Sequence, residues 1–272
     1  MFSVDNLPEV HEPTLVLALN GWVDAGNTGS QLVEFISTRT DVKPFAELDI
    51  DDRLDFSHTR PAVVGLGDDR HVEYPQFTWS AGASGRLLLL TGPELSLEWP
   101  TVVQGVIEFA QRLGVARIAS FAGMPAAVTH RRALPVLAVH FGSRAVDLGS
   151  GVGERPDYRG PTGMNAAILE AGGRAGIPAV GLWAQIPIYL ASAMSVLGVE
   201  ALLPHVNRVC DLKLDLESIE TRAAFERVTI DDQARTEGDL AEAIRAAEVI
   251  DDLGASDLIG EIEKFLDEPE AK

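Results

Sequence analysis

Apolar residues follow two rhythms along the first three quarters of the chain. Short runs dense in aliphatic and β-branched residues occupy positions 14–20 (TLVLALN), 72–80 (VEYPQFTWS), 86–92 (RLLLLTG), 115–123 (VARIASFAG), 134–142 (LPVLAVHFG) and 178–185 (PAVGLWAQ). Each predicts a strand. Between several of them the apolar positions recur with a helical period, over 26–39, 99–113 and 163–175; in the second, Val102, Val103, Val106, Phe109 and Ala110 share one side. Strands alternating with helices at this spacing predict an α/β fold, a central sheet largely parallel or mixed, with helices on both faces. The stretch 181–203 (GLWAQIPIYLASAMSVLGVEALL) predicts a strand followed by a buried helix, because Gln185, Pro187, Gly198 and Glu200 interrupt what would otherwise be a membrane-length apolar run. Residues 47–70 are weakly patterned and rich in Asp and Gly, which predicts a long connection with little regular structure. Such a connection either carries function or covers a sheet edge.

After Pro204 the pattern changes. Leu240, Ile244 and Ala247 form one stripe, and Leu258, Ile262, Phe265 and Leu266 another at i, i+4, i+7 and i+8, with acids elsewhere. These stripes predict a pair of carboxy-terminal amphipathic helices, entered through residues 211–235 and punctuated by Gly254 and Gly260. The chain accordingly divides into an α/β domain over 1–210 and an acidic helical appendage over 211–272.

Charge sharpens that division. Of the net −19, a surplus of 12 negative charges lies between Asp211 and Lys272, where 19 acidic residues face 7 basic ones. A surface of this sign repels a phosphate backbone, so neither nucleic acid nor an anionic membrane is an expected partner. Cys210 is the one cysteine of the 272 residues, which excludes an intrachain disulfide and a multi-cysteine metal site. The opening MFSVDNLPEVHEPT lacks the basic-then-apolar arrangement of a secretion signal, and a cytoplasmic setting is expected.

Two glycine loops carry the candidate chemistry. Gly21-x4-Gly26 followed by Thr28 matches every fixed position of a phosphate loop except one, since Asn27 stands where the lysine belongs. Without that lysine the loop loses its reach to the outer phosphates of a nucleotide, and classical NTPase chemistry is not expected. It reads either as a strand-to-helix turn, with Asp24 or Asn27 capping the helix and Trp22 packed, or as a ligand-contacting loop. The second loop, RGPTGMNAAILEAGGRAG, starts a helix after Pro161 and Thr162, with Gly163 permitting close approach and Asn165 in the first turn. In a doubly wound sheet the two loops meet at one carboxyl edge, giving a candidate ligand pocket of Asp24, Gly26, Asn27, Thr28, Thr162, Gly163 and Asn165.

Other candidates read as structure. LGSGVGERPD (148–157) lacks the dinucleotide spacing and predicts a loop, and GASGR (82–86) lacks the last glycine of a nucleophile elbow and predicts a turn. No histidine pattern matches a metal site, and His140 reads as a core residue, so no metal and no cofactor are expected. His130-Arg131-Arg132 is a basic cluster that either receives an acidic partner or is a solvated connection. Glu94 and Glu98 precede the helix beginning near Trp99, where carboxylates suit the helix dipole.

NGWVDAGNTGS, GPELSLEW, SFAGMPAAVTHRR and GPTGMNAAILEAGGRAGIPAVGLWAQIPIYL, in this order, resemble the proteasome assembly chaperone 2 family in its actinobacterial-type form, over about residues 10–215. The resemblance implies a fold like that of nucleoside phosphorylases, self-association into homo-oligomers such as trimers, and a role in assembling proteasomes or other complexes. Some members dock through a carboxy-terminal hydrophobic-Tyr-x tail, whereas this chain ends Glu270-Ala271-Lys272. Together these readings predict a non-catalytic, homo-oligomeric assembly chaperone or scaffold with proteasome subunits as partners. The alternative is a small-molecule-binding protein or enzyme that takes a nucleoside-like or carboxylate ligand between the 21–28 and 160–165 loops.

Overall fold

In the run TLVLALN, Leu15, Leu17 and Leu19 face one apolar layer while Val16 faces another, and that alternation is repeated across the sheet. The computed structural model describes residues 2–21, 24–142, 152–154 and 159–267, with side chains of the last helix described as far as residue 252. Within those residues the chain forms, in order, β1 (Phe2–Val4), β2 (Thr14–Asn20), α1 (Thr28–Arg39), β3 (Lys43–Leu48), β4 (Ala62–Val64), β5 (His71–Glu73), β6 (Phe77–Ala81), β7 (Leu87–Pro93) and α2 (Trp99–Arg112). It continues with β8 (Arg117–Ala126), β9 (Val136–Phe141), β10 (Gly153–Glu154), α3 (Met164–Arg174), β11 (Ala179–Pro187), α4 (Leu197–Cys210), α5 (Glu217–Ala234) and α6 (Gly238–Asp267).

One sheet runs in the order β1-β3-β6-β7-β2-β8-β11-β9-β10. Its centre, β7-β2-β8-β11, is parallel, and antiparallel pairs β1-β3, β3-β6, β6-β7 and β11-β9 flank it. The sheet is therefore mixed, with the expected helices on both faces. One face packs Leu32, Phe35 and Ile36 of α1 with Leu202, Leu203 and Val206 of α4; the other packs Val102, Val106 and Phe109 of α2 with Met164, Ile168 and Leu169 of α3.

The differences from the sequence expectation are local. The run 72–80 is two strands, because Tyr74, Pro75 and Gln76 separate β5 from β6; the missing N–H of Pro75 suits a break in the ladder. The weak stretch 47–70 contributes β4, which pairs with β5 in a two-stranded ribbon outside the main sheet. Residues 217–234 are the helix α5, and α6 then runs as one helix through Gly254 and Gly260. Each glycine costs about 1 kcal/mol relative to alanine, which weakens a helix without ending it. The stripe of Leu258 to Leu266 lies beyond the described side chains. Trp22 and most of 148–157 also lie outside the described residues.

The carboxy-terminal helices share the core of the α/β layers. Ile219, Ala223 and Ile230 of α5 and Ile244 of α6 are buried in the same cluster as α1 and α4, and Ala247 of α6 is buried as well. Cys210, at the end of α4, is buried there too, and desolvation pushes its thiol up to about 12.

The first helical layer sits very close to the sheet. A Cβ on Gly123 in β8 would overlap the Ala25 carbonyl oxygen and crowd Thr28 Oγ1, and a Cβ on Gly29 would come within 2.7 Å of the Phe121 carbonyl oxygen. Since the obstacle at Gly123 is backbone, Gly123→Ala is expected to lower stability by about 1–3 kcal/mol, as overpacking does. Chemical denaturation monitored by circular dichroism measures it.

Candidate functional site

β2 and β7 are neighbours whose exits lead to opposite faces, to α1 and to α2 respectively. Such a switch point leaves a crevice at the carboxyl ends of the two strands, the usual ligand position in this class of sheet. Both glycine loops reach this edge. Asn165 bridges it: its Nδ2 donates to the Leu19 carbonyl at 3.2 Å and its Oδ1 accepts from the Leu19 N–H at 3.4 Å.

The first loop turns on two successive left-handed residues, Gly26 (φ 68°) and Asn27 (φ 50°). Glycine adopts that conformation freely and asparagine more readily than most residues, which explains why the pair stands here. Asp24 caps α1 from three residues before Asn27, accepting from the Gly29 N–H at 2.7 Å, the Ser30 N–H at 3.1 Å and the Ser30 hydroxyl at 2.9 Å. The carboxylate thereby occupies the amino end of the helix, where a phosphate would otherwise sit. Asn27 makes no side-chain cap and is exposed.

Gly26 and Thr28 turn away from the crevice. The Gly26 N–H donates to the Ala191 carbonyl at 3.0 Å, and the Gly26 carbonyl accepts from the Ser195 N–H at 3.0 Å and from Gln31 Nε2 at 2.8 Å. Thr28 is fully buried, with its hydroxyl donating to the Ala25 carbonyl at 2.7 Å. The structure thus brings Asp24 and Asn165 to one edge and packs Gly26 and Thr28 against the segment before α4.

At α3 the exposed Thr162 precedes Gly163, and the Met164 N–H donates to Glu94 Oε1. Glu94 therefore caps α3 rather than α2, a correction to the sequence expectation. Its other carboxylate oxygen occupies the volume a Cβ on Gly21 would need, so the glycine of the first loop makes room for it. Seventy residues separate Glu94 from Met164, and no local pattern announces the contact. Glu98 pairs instead with Arg53 at 2.9 Å.

A second polar assembly joins the β8–β9 connection to the carboxy-terminal helices. Arg131 contacts Asp231 at 2.6 Å and Glu248 at 2.7 Å; Arg132 contacts Asp251 at 2.9 Å and also Asp252; Arg227 pairs with Glu200 at 2.5 Å and donates to the His130 carbonyl at 3.0 Å. The basic cluster of the sequence therefore receives the chain's own acidic helices. Beside it a cavity of about 690 Å³ opens between Arg132, Leu134, Val136, Pro204, His205 and Arg227.

His130 lies beneath these pairs, fully buried, with Nδ1 2.7 Å from Tyr189 Oη and Nε2 3.4 Å from Asp231 Oδ1. Burial holds its pKa below the usual histidine value against the opposing pull of Asp231. Hydrogen bonding from Arg131 holds the Asp231 carboxyl low. His140, read as core from sequence, is half-buried on β9. GASGR is the expected turn, with Gly85 left-handed at φ 67° and its N–H donating to the Gly82 carbonyl at 3.0 Å. Among the described residues no group of three or more His, Cys, Asp or Glu is placed to hold a metal ion. No helix among them is long and apolar enough to cross a membrane.

The profile of the PAC2 family matches residues 18–234. A solved PAC2 family protein from Streptomyces avermitilis is 29% identical, with a TM-score of 0.73 over 85% of this chain and 99% of that one. The Mycobacterium tuberculosis protein Rv2714 superposes with a TM-score of 0.82 at 24% identity, over 97% of this chain and 91% of that one. The M. tuberculosis proteasome-assembly chaperone homologue Rv2125 gives 0.75 at 24% identity, over 85% and 99%. No curated protein matches the sequence.

Two predictions follow from the geometry of the helical clamp. Exposed ion pairs are each worth about 0–1 kcal/mol, whereas truncating a buried isoleucine costs about 2–5 kcal/mol. Ile230→Ala should therefore destabilise the protein several-fold more in free energy than Arg132→Ala, and only the arginine variant should narrow its deficit as salt rises; urea unfolding at two ionic strengths measures both. Because the folded protein holds His130 below its unfolded value of 6.5, the unfolded chain binds more protons as pH falls through that value. Stability from this site is full above that pH and declines toward the folded pKa, so melting temperature should drop from pH 7.5 to 5.5 and drop less in His130→Asn.

Proposed function

The chain belongs to the PAC2 family, and from that premise we propose that it is a non-catalytic, homo-oligomeric assembly chaperone or scaffold, acting in the cytoplasm on proteasome subunits by protein–protein binding. The likeness of its fold to a proteasome-assembly chaperone homologue supports this reading. The observation that carries it further is how the polar groups of the two loops are spent. The Gly26 N–H, the Thr28 hydroxyl and the Met164 N–H, the atoms with which such loops hold phosphates, are bonded to Ala191, Ala25 and Glu94 of the chain itself. A ligand would have to displace internal partners, whereas a protein surface needs no such opening.

The acidic surplus of the chain favours a partner with basic patches, through steering and rejection of acidic competitors.

One observation favours a second reading, a carboxylate or nucleoside-like ligand in the crevice. Asn20, Asp24, Glu94 and Asn165 gather at the switch point: Ser30 Oγ lies 2.9 Å from Asp24 Oδ2 and 3.3 Å from Asn20 Oδ1, the Glu94 N–H donates to the Asn20 carbonyl at 2.7 Å, and Asn165 holds the backbone of the adjoining Leu19. Gly163 already lies against the Glu94 carboxylate, whereas the buried Thr28 would join only after its loop rearranged.

The test mixes the purified full-length protein with recombinant proteasome α and β subunits from the same host, followed by native mass spectrometry at low and high salt. A stoichiometric complex that weakens as salt rises is the expected outcome. Absence of any complex, together with a small molecule retained on the protein and lost in Asn165→Ala, would replace the first reading by the second.

A further inference from the structure

The long connection between β3 and β6 leaves the body of the protein as the β4–β5 ribbon, with Val63 directly opposite Val72. A two-stranded ribbon is marginal in water and needs an apolar face to pack against something. This one keeps its apolar residues outside: Leu66 is 87% exposed, Val63 62%, Tyr74 57% and Val72 52%. Val63 and Val72 stand opposite each other across the ribbon, with Tyr74 directly after β5 and Leu66 two residues after β4, so the exposed groups gather on one small ribbon. An exposed apolar patch of this kind marks an interaction surface.

The tip is built to present its leucine. Gly65 (φ 81°) and Gly67 (φ 58°) flank Leu66 in left-handed conformations, and a Cβ on Gly65 would overlap the Asp69 carbonyl oxygen. The Leu66 carbonyl accepts from the Asp69 N–H at 3.1 Å and the Gly67 carbonyl from the Arg70 N–H at 3.4 Å. The base is fixed as well. Tyr74 packs edge-on against Phe56 at 5.7 Å, and the Asp55 N–H donates to Ser96 Oγ at 2.9 Å, tying the ribbon's root to the body before α2. A side chain held outward by an ordered turn loses little freedom on docking, which is what an anchor residue requires.

Charge selects the occupant. Two copies of a chain carrying −19 repel each other over most approaches, yet between residues 60 and 75 Arg60 and Arg70 stand against Asp68, Asp69 and Glu73, leaving a formal charge of −1. The ribbon is thus a place where like copies meet with little Coulomb cost, while offering a strongly basic partner little attraction. We propose that the β4–β5 ribbon is the self-association surface of this protein, with Leu66, Val63, Val72 and Tyr74 packing against a second copy of the chain. This assignment rests on the homo-oligomeric reading above and gives that reading a location.

Light scattering after size exclusion, on the full chain and on Leu66→Asp and Val63→Glu/Val72→Glu variants, tests it. The wild type should be oligomeric and the variants should associate at least about tenfold more weakly, the loss expected for an anchor worth 1.4 kcal/mol or more, with unchanged circular dichroism. Leu66→Cys guards against an effect of misfolding: Cys210 is buried, so a benzophenone maleimide labels the tip and should photo-cross-link two copies. An oligomer that persists in both variants overturns the ribbon assignment and leaves homo-oligomerisation standing. A wild type that stays monomeric at every concentration overturns both.

Discussion

Four parallel strands at the centre of the sheet, β7, β2, β8 and β11, have two apolar faces, and both must be kept from water. The arrangement of every helix answers that requirement. α1 and α4 close one face and α2 and α3 the other, and the carboxy-terminal pair extends the first layer. Because exits from β2 and β7 diverge toward opposite layers, a polar crevice between them is a by-product of covering the sheet. The protein fills that crevice with its own carboxylates, Asp24 at α1 and Glu94 at α3. Two helix amino ends that would attract external anions are neutralised from within, at the energetic advantage of charge-assisted bonds over solvated ones.

Much of this was legible in the sequence. Strands with long aliphatic runs, such as 14–20 and 87–93, and helices with a clean stripe, such as 99–112 and 164–174, stand within a residue or two of expectation. β1 and β3 were not seen because FSV is too short to show a period and the apolar pattern of KPFAEL is broken by Lys43, Pro44 and Glu47. The ribbon escaped for a related reason. Its two strands have three residues each and only acquire meaning when Val63 is placed opposite Val72.

Candidate chemistry was legible only at short range. The capping of α1 by Asp24 spans five residues and could be read as one of two options in the loop; the capping of α3 by Glu94 spans seventy and could not. Likewise the basic cluster at 130–132 carried an open question about its acidic counterpart, which lies 100 to 120 residues further along the same chain. What holds that counterpart is burial: three isoleucines of α5 and α6 are at most 4% exposed, each contributing about 1.5–3 kcal/mol, against small increments from the surface pairs. The arginines set where the helices sit more than how firmly.

The position of β2 in the sheet also has a temporal meaning. Like β8 it has parallel partners on both sides, yet it is the first of the four central strands to be synthesised, and its neighbour β7 is complete only about 70 residues later. At a translation rate of roughly 5–20 residues per second, this apolar strand waits about 4–15 s for β7. Pairings this distant in sequence carry a large loop-closure cost before any contact repays it, so folding of the nascent chain is slow and leaves TLVLALN exposed while it lasts.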